Sequence, residues 1–210
     1  MRIRSFQAAD TDPLYEVCLQ TFDGGADATR LFPAYPRLPG DVALGACLKF
    51  YPALAFVLEG DRGRPIGYAV GVLDTGRFYR QCEAEWWPPL RKVYPDMAAV
   101  PADELTTEQR VMQSVHRPVQ APPEIWKVYP SHLHINILPP GQGCGYGRAL
   151  IETVLSALSA AGSPGVFLGL QPNNRTAAGF YEHLGFLGLP VIPGANRRMA
   201  LKLPHQRRPQ

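Results

Sequence analysis

Long uninterrupted apolar runs are missing from these 210 residues. No window approaches the roughly 18 such residues that a membrane-crossing helix needs. The opening MRIRSFQAAD lacks the apolar core of a secretory leader. Together these absences predict a cytoplasmic chain with no membrane partner. Cysteine is scarce: Cys18, Cys47, Cys82 and Cys144 stand far apart, without a CxxC pair or a Cys/His ladder of zinc spacing. That predicts reduced thiols and no metal site. Charge is sparse too. The 21 basic residues against 18 acidic ones give +3, spread along the chain, so no nucleic-acid footprint is expected.

What is present is a globular composition. Apolar residues make 46% and aromatic residues 10%, enough to offset the cost of ordering a backbone, which excludes disorder. The 20 glycines and 22 prolines follow no short period, which excludes collagen-like and low-complexity organisation. A chain of this length buries a substantial core as one generous domain or two small ones.

Ile3 to Phe6 reads as a short strand, and Asp10-Thr11-Asp12-Pro13 as a helix start with a cap and a proline in the first turn. Leu14, Val17, Cys18 and Thr21 share the face that follows. Gly24-Gly25 and residues 32–39 predict an irregular loop, after which Asp41 caps a helix through about Phe50. Ala53 to Glu59 and Pro65 to Leu73, joined by Gly60-Asp61-Arg62-Gly63, predict a β-hairpin. From Thr75 to Pro123 no strand is clear. Trp86-Trp87-Pro88-Pro89 and a helical pattern from Thr107 to about His116 predict a helical insertion packed on a sheet.

His132 to Leu138 alternates, with Leu133, Ile135 and Ile137 on one face and His132, His134 and Asn136 on the other. A turn of glycines from Gly141 to Gly147 opens a helix from Arg148 to Ala161, whose Leu150, Ile151, Val154, Leu155 and Leu158 form one stripe. Gly165 to Leu170 is a second buried strand, so the order strand, helix, strand implies a parallel crossover. Asn173 or Asn174 caps a last helix with Ala177, Phe180, Tyr181 and Leu184 on one face, ended by Gly185. Val191 and Met199 to Leu203 supply closing strands. A single domain over 1–203, with its insertion at 75–125 and a polar tail at 204–210, accounts for the pattern.

A strand that runs through a glycine turn into a helix aims several backbone N–H groups and a helix dipole at one point, which suits an anion. Glycine permits positive φ and lets main chain approach a phosphate with no Cβ in the way. The turn lacks the Lys-Ser/Thr ending of a P-loop, which disfavours nucleotide hydrolysis. It also lacks the full GxGxxG pattern with a later acidic residue. A nucleotide-binding α/β domain is the weakest of the three readings.

Ile137-Leu138-Pro139, Gln142-x-x-Gly145-x-Gly147 and Arg148-Ala149-Leu150 resemble the general-control-related N-acetyltransferase (GNAT) superfamily. Asn174-x-x-Ala177-x-x-Phe180-Tyr181-Glu182-x-Leu184-Gly185-Phe186 matches the same family's last helix. The resemblance implies an α/β (α+β) GNAT fold: a mixed central β-sheet flanked by helices, with a helical insertion before the central strand. It implies acetyl-CoA (CoA) as cofactor. Ile137 and Leu138 would meet the pantetheine arm, and Gln142, Gly143, Cys144, Gly145, Tyr146, Gly147 and Arg148 would surround the pyrophosphate. Asn174, Ala177, Phe180 and Tyr181 would flank the arm and its thiol. Cys144 departs from the pattern, since the family often has a basic residue there.

A narrower resemblance covers most of the chain. Cys82-x-x-x-Trp86-Trp87-Pro88-Pro89-Leu90-x-x-x-Tyr94, Leu105-Thr106-x-x-Gln109-x-Val111-Met112-x-Ser114-x-His116 and Pro130-Ser131 resemble the acetyltransferase-like C-terminal domain of O-GlcNAcase. That domain is regarded as a pseudo-acetyltransferase with a degenerate loop, whereas this chain keeps the glycines.

The family's chemistry implies Tyr181 as general acid to the departing thiolate, with a core aromatic as the alternative role. A lysine-like amine, pKa about 10.4, is almost wholly protonated near neutral pH, so its proton must go somewhere. His134 or His132 is a candidate acceptor, with Asp74, Glu83, Glu85 and His116 behind them. Asn136 is placed beside His134 but cannot act as a base. Phe78, Tyr79, Trp86 and Trp87 either wall an acceptor pocket or fill the core beneath the insertion. Arg197-Arg198 and Arg207-Arg208 are solvated charge or contacts for the adenosine 3′-phosphate. The reading is an N-acetyltransferase acting on a primary amine, either a small molecule or a protein or peptide lysine. The alternative is an acetyl-CoA-binding pseudo-acetyltransferase that senses the cofactor or recognises a protein.

Overall fold

The computed structural model describes residues 1–171, 174–190 and 196–204. Asn173 as a cap, Val191 as strand material, Arg207-Arg208 and most of the expected tail lie outside the described residues. A seven-stranded sheet runs in the order β1-β2-β3-β4-β5-β7-β6. Its strands are β1 (Arg2–Ser5), β2 (Ala55–Glu59), β3 (Pro65–Val72), β4 (Ser131–Ile137), β5 (Gly165–Leu170), β6 (Leu187–Gly188) and β7 (Arg197–Lys202). Every neighbouring pair is antiparallel except β4 and β5. The expected hairpin is present as β2 and β3, and the mixed sheet flanked by helices is the expected fold class.

Alternation along the strands makes two different sheet faces. One face carries Ala69 and Leu133 and is covered by α8 (Tyr146–Ala160) and α9 (Arg175–His183). Leu150, Ile151, Val154, Leu155 and Leu158 are the buried residues of α8, as the periodicity predicts. The other face carries Tyr68, Val70 and Val72. It lies under α1 (Thr11–Leu19), α2 (Leu38–Ala43), α3 (Gly45–Phe50), α4 (Thr75–Gln81), α5 (Trp87–Val93) and α6 (Thr107–His116). A π-helical turn, Cys82–Trp86, links α4 to α5, and a single turn, α7 (Pro123–Trp126), precedes β4.

The single helix expected after Asp41 is two helices, α2 and α3, and Asp41 lies inside the first. Tertiary contacts override the cap. Asp41 accepts from the Tyr15 hydroxyl at 2.9 Å and the Tyr94 hydroxyl at 2.5 Å, and its carbonyl accepts from Trp86 Nε1 at 2.9 Å. Gly40 and Gly45 press on Tyr15 so closely that a Cβ at either position would overlap the ring or its hydroxyl. In α6, Thr106 and Gln109 form a capping box. The buried Glu108 accepts from Ala34 N at 3.1 Å and Tyr35 N at 2.8 Å, which ties the irregular loop to this helix.

Candidate active site

The site is built where two strands part. β4 and β5 pair at Ser131↔Val166 and His132↔Phe167. β4 then continues to Ile137 and β5 to Leu170 with no further rung between them. The backbone of His134 to Ile137 therefore faces an opening on its β5 side, while its other side stays laddered to β3 from Val72↔His132 to Gly67↔Ile137. Gln142 Nε2 donates to Ile137 O at 2.7 Å at the wide end of that opening. Leu138 N is held by Ile66 O at 2.8 Å, so Leu138 extends the β3 ladder by one residue.

Beyond Leu138 the chain turns tightly, with Gly141 N on Leu138 O at 2.9 Å and Gln142 N on Pro139 O at 3.0 Å. From there the bonding stops. The N–H groups of Gly143, Cys144, Gly145, Tyr146, Gly147 and Arg148 have no acceptor among the described residues. Gly143 and Gly145 adopt φ of +73° and +82°, and a Cβ on either would touch nothing within 4 Å. That is a run of donors at the positive end of α8, an arrangement that suits an anion. Arg148 bonds Glu152 at 2.9 Å one turn on. Cys144 is exposed and Tyr146 packs on the α8 side core.

α9 closes the same side. Asn174 Oδ1 caps it by accepting from Ala177 N at 2.9 Å. Phe180 approaches Gly147, where a Cβ would lie 3.4 Å from its ring. Tyr181 is buried against Phe180 and Phe186, with ring centroids 5.2 and 5.6 Å away. Burial raises the Tyr181 hydroxyl above the ordinary phenol range, and that hydroxyl has no partner among the described residues. It keeps its proton at neutral pH and is free to donate it.

The polar side of β4 is a series of single partners. His132 Nδ1 lies 2.8 Å from Thr75 Oγ1, whose own hydrogen goes to Pro130 O at 2.8 Å, so Nδ1 carries the proton of this imidazole. His134 Nε2 lies 3.0 Å from the Tyr68 hydroxyl, which also bonds Cys18. Asn136 Nδ2 donates to Thr21 Oγ1, which in turn donates to Val17 O at 2.7 Å. Burial lowers His134 to about 4, and burial with the neighbouring His134 lowers His132 to about 3. Both rings are neutral at pH 7. Burial likewise raises the Cys18 thiol to about 11.

The remaining sequence candidates serve structure elsewhere. Asp74 caps α4 by accepting from Arg77 N at 2.8 Å. Glu83 pairs with Arg91, Glu85 with Lys49, and His116 Nε2 bonds Tyr94 O at 2.8 Å. Trp86 and Trp87 belong to the core under the insertion, the second of the two roles left open for them. Phe78 and Tyr79 lie against His132, at 5.2 and 6.3 Å between ring centroids. Sequence reasoning missed Tyr68, Thr21 and Asp41. The strand register alone places Tyr68 beside Asn136, but nothing local marks Thr21 or Asp41 as partners of residues 115, 26 and 53 positions away.

Comparison with known proteins adds four findings. The model of the acetyltransferase (GNAT) family matches residues 124–186. The O-GlcNAcase of Rattus norvegicus is 28% identical over 193 residues, which is 91% of this chain. The chain spans about a fifth of that protein's length, 20%. The crystal structure of SsHAT is 33% identical and superposes with a TM-score of 0.85, over 96% of this chain and 97% of that one. A phosphinothricin acetyltransferase of Sinorhizobium meliloti, solved with AcCoA, has the same fold at 14% identity and a TM-score of 0.57, over 96% and 88% of the two chains.

Proposed function

The chain belongs to the acetyltransferase (GNAT) family, and from that premise we propose that it binds acetyl-CoA and transfers the acetyl group to a primary amine. The observation that carries the reading is the run of unpartnered N–H groups from Gly143 to Arg148, placed at the wide end of the parted strands. Acetyl-CoA supplies an acetyl group activated as a thioester. Gly143, Cys144, Gly145, Tyr146, Gly147 and Arg148 hold its pyrophosphate through backbone N–H. Ile137 and Leu138 offer main-chain groups to the pantetheine arm, with Gln142 fixing the strand end. Asn174, Ala177 and Phe180 line the α9 side.

Tyr181 acts as general acid: its hydroxyl is protonated at neutral pH and has no partner among the described residues to compete for that proton. His134, at about 4, is too weak a base to take a proton from an ammonium of pKa about 10.4 with useful driving force. The amine therefore loses its proton to water before attack, and the rate rises with pH along the acceptor's own ionisation. Asn136 holds β4 to Thr21 rather than moving a proton.

Tyr181→Phe is expected to lower kcat about a hundredfold while leaving the acetyl-CoA Kd, measured by calorimetry, within twofold. Unchanged turnover across pH removes Tyr181 as the acid. A second reading, a binding module without turnover, is favoured by the internal bonding of His132, His134 and Asn136. Acetyl-CoA binding without thiol release across a broad amine and peptide panel decides for it.

A further inference from the structure

The face of the sheet that carries His134 and Asn136 continues past the parted strands onto β5 and β7. Antiparallel partners share a face, and the register places Phe167 opposite Ala200 and Gly169 opposite Arg198. Phe167, Ala200 and the insertion residues Ala121, Ile125 and Trp126 form a small apolar cluster. That cover stops short of Gly169. Gly169 is exposed, and a Cβ built there would touch nothing within 4 Å. The floor between the β4 histidines and Arg198 is thus open at a position where a side chain would fit.

Arg198 has no ionic partner among the described residues. Five arginines are partly buried among the described residues: Arg4, Arg91, Arg148, Arg197 and Arg198. The first four each meet a carboxylate, on Asp10 and Glu59, Glu83, Glu152 and Glu182 in turn. Arg198 meets none among the described residues. Its charge acts instead on the Tyr79 hydroxyl at the edge of the insertion, whose ring stacks on His132. Arg197, one residue away, points to the opposite face and bonds Glu182 on α9 at 3.0 Å. A partly buried arginine whose five N–H donors are taken by no described residue keeps them for water or for an incoming anion.

We propose that Arg198 is a specificity-determining residue for the acceptor, and that the acceptor amine carries an anionic group, carboxylate or phosphate, which this guanidinium receives over Gly169. The inference rests on the reading of the chain as an acetyltransferase, and it adds the chemical class of the acceptor. The anion docks on the α6 and insertion side of the sheet, away from the glycine turn, so cofactor and acceptor approach from opposite sides.

The test pairs amines that differ in one charge: glycine with glycinamide, β-alanine with β-alaninamide, phosphoethanolamine with ethanolamine. The anionic member of at least one pair is expected to be acetylated with about ten- to a hundredfold higher kcat/KM. Arg198→Gln removes that preference by raising KM, with kcat and acetyl-CoA Kd unchanged. Arg198→Lys keeps part of it and Arg197→Gln keeps all of it. Equal use of charged and neutral partners, or an Arg198→Gln loss shared by both, overturns the proposal and leaves the acetyltransferase reading intact. If no amine turns over, the same pairs are titrated into the protein–CoA complex. Charge-selective binding lost in Arg198→Gln then supports the anion site, and binding without selectivity overturns it. Failure of acetyl-CoA itself to bind sinks the wider reading and is seen before any acceptor is added.

Discussion

β4 has two faces that are held in opposite ways. Leu133, Ile135 and Ile137 lie against the α8 and α9 side in a core built mainly from leucine, with Tyr181, Phe186 and Met199 at the α9 and β7 end. There the stabilisation comes from area, roughly 25 cal/mol for each Å² of apolar surface removed from water. On the other face His132, His134 and Asn136 each depend on one hydrogen-bond partner, Thr75, Tyr68 and Thr21. The first face is interchangeable in detail and fixed in pattern. The second is fixed in detail, since a buried polar group without its partner costs more than the bond itself contributes. The polar side chains of His132, His134 and Asn136 belong to the second face, whereas the Tyr181 hydroxyl belongs to α9 on the first.

Acid separates the two faces most strongly. In the unfolded chain both imidazoles take protons near 6.5, whereas in the fold His134 resists down to about 4 and His132 down to about 3. Between those limits the unfolded state binds more protons, so stability falls as pH falls. The slope is about 1.4 kcal/mol per pH unit for each ring. Denaturant melts at pH 7, 6 and 5 read this directly. His134→Gln is expected to flatten the dependence by about half near pH 5, and an unchanged slope would show that the ring is not buried neutral.

Leu150→Ala on the apolar side is expected to cost about 2–5 kcal/mol through lost burial and the cavity left behind, with the pH slope untouched. A steeper acid response in that variant would mean the two faces are coupled. Tyr68→Phe on the polar side is a smaller insult, about 1–3 kcal/mol. It takes away the hydroxyl shared by Cys18 and His134 without opening a cavity. Its readout is the His134 titration seen by NMR, which is expected to stay near 4 because burial and not the hydroxyl sets it.

Legibility follows the same division. The α8 stripe from Leu150 to Leu158 and the β4 alternation are written in short periods and stand as read, while the turn read over Gly141 to Gly147 gives way to helix two residues early, at Tyr146. The boundaries of α2 and α3 were not readable. Asp41 has the residue type of a cap, but two tyrosines from other elements take its carboxylate. Glu108, which no sequence reading singled out, is a buried anchor for the Tyr35 loop in the first turn of α6. Candidate bases such as Glu83 and Glu85 drop out for the same reason, because ion pairing depends on neighbours that spacing does not reveal.

The sequence by itself determined the strand, glycine turn and helix that present free N–H groups, because backbone direction and positive φ are local properties of residues close in the chain. Tertiary structure alone decided that β4 and β5 part after His132 and Phe167. It also decided that burial keeps His134 neutral beside the Tyr68 hydroxyl, and that Arg198 meets no carboxylate among the described residues next to an open Gly169. Those outcomes depend on burial and on partners brought from distant segments. Neither is encoded at the residue that feels it.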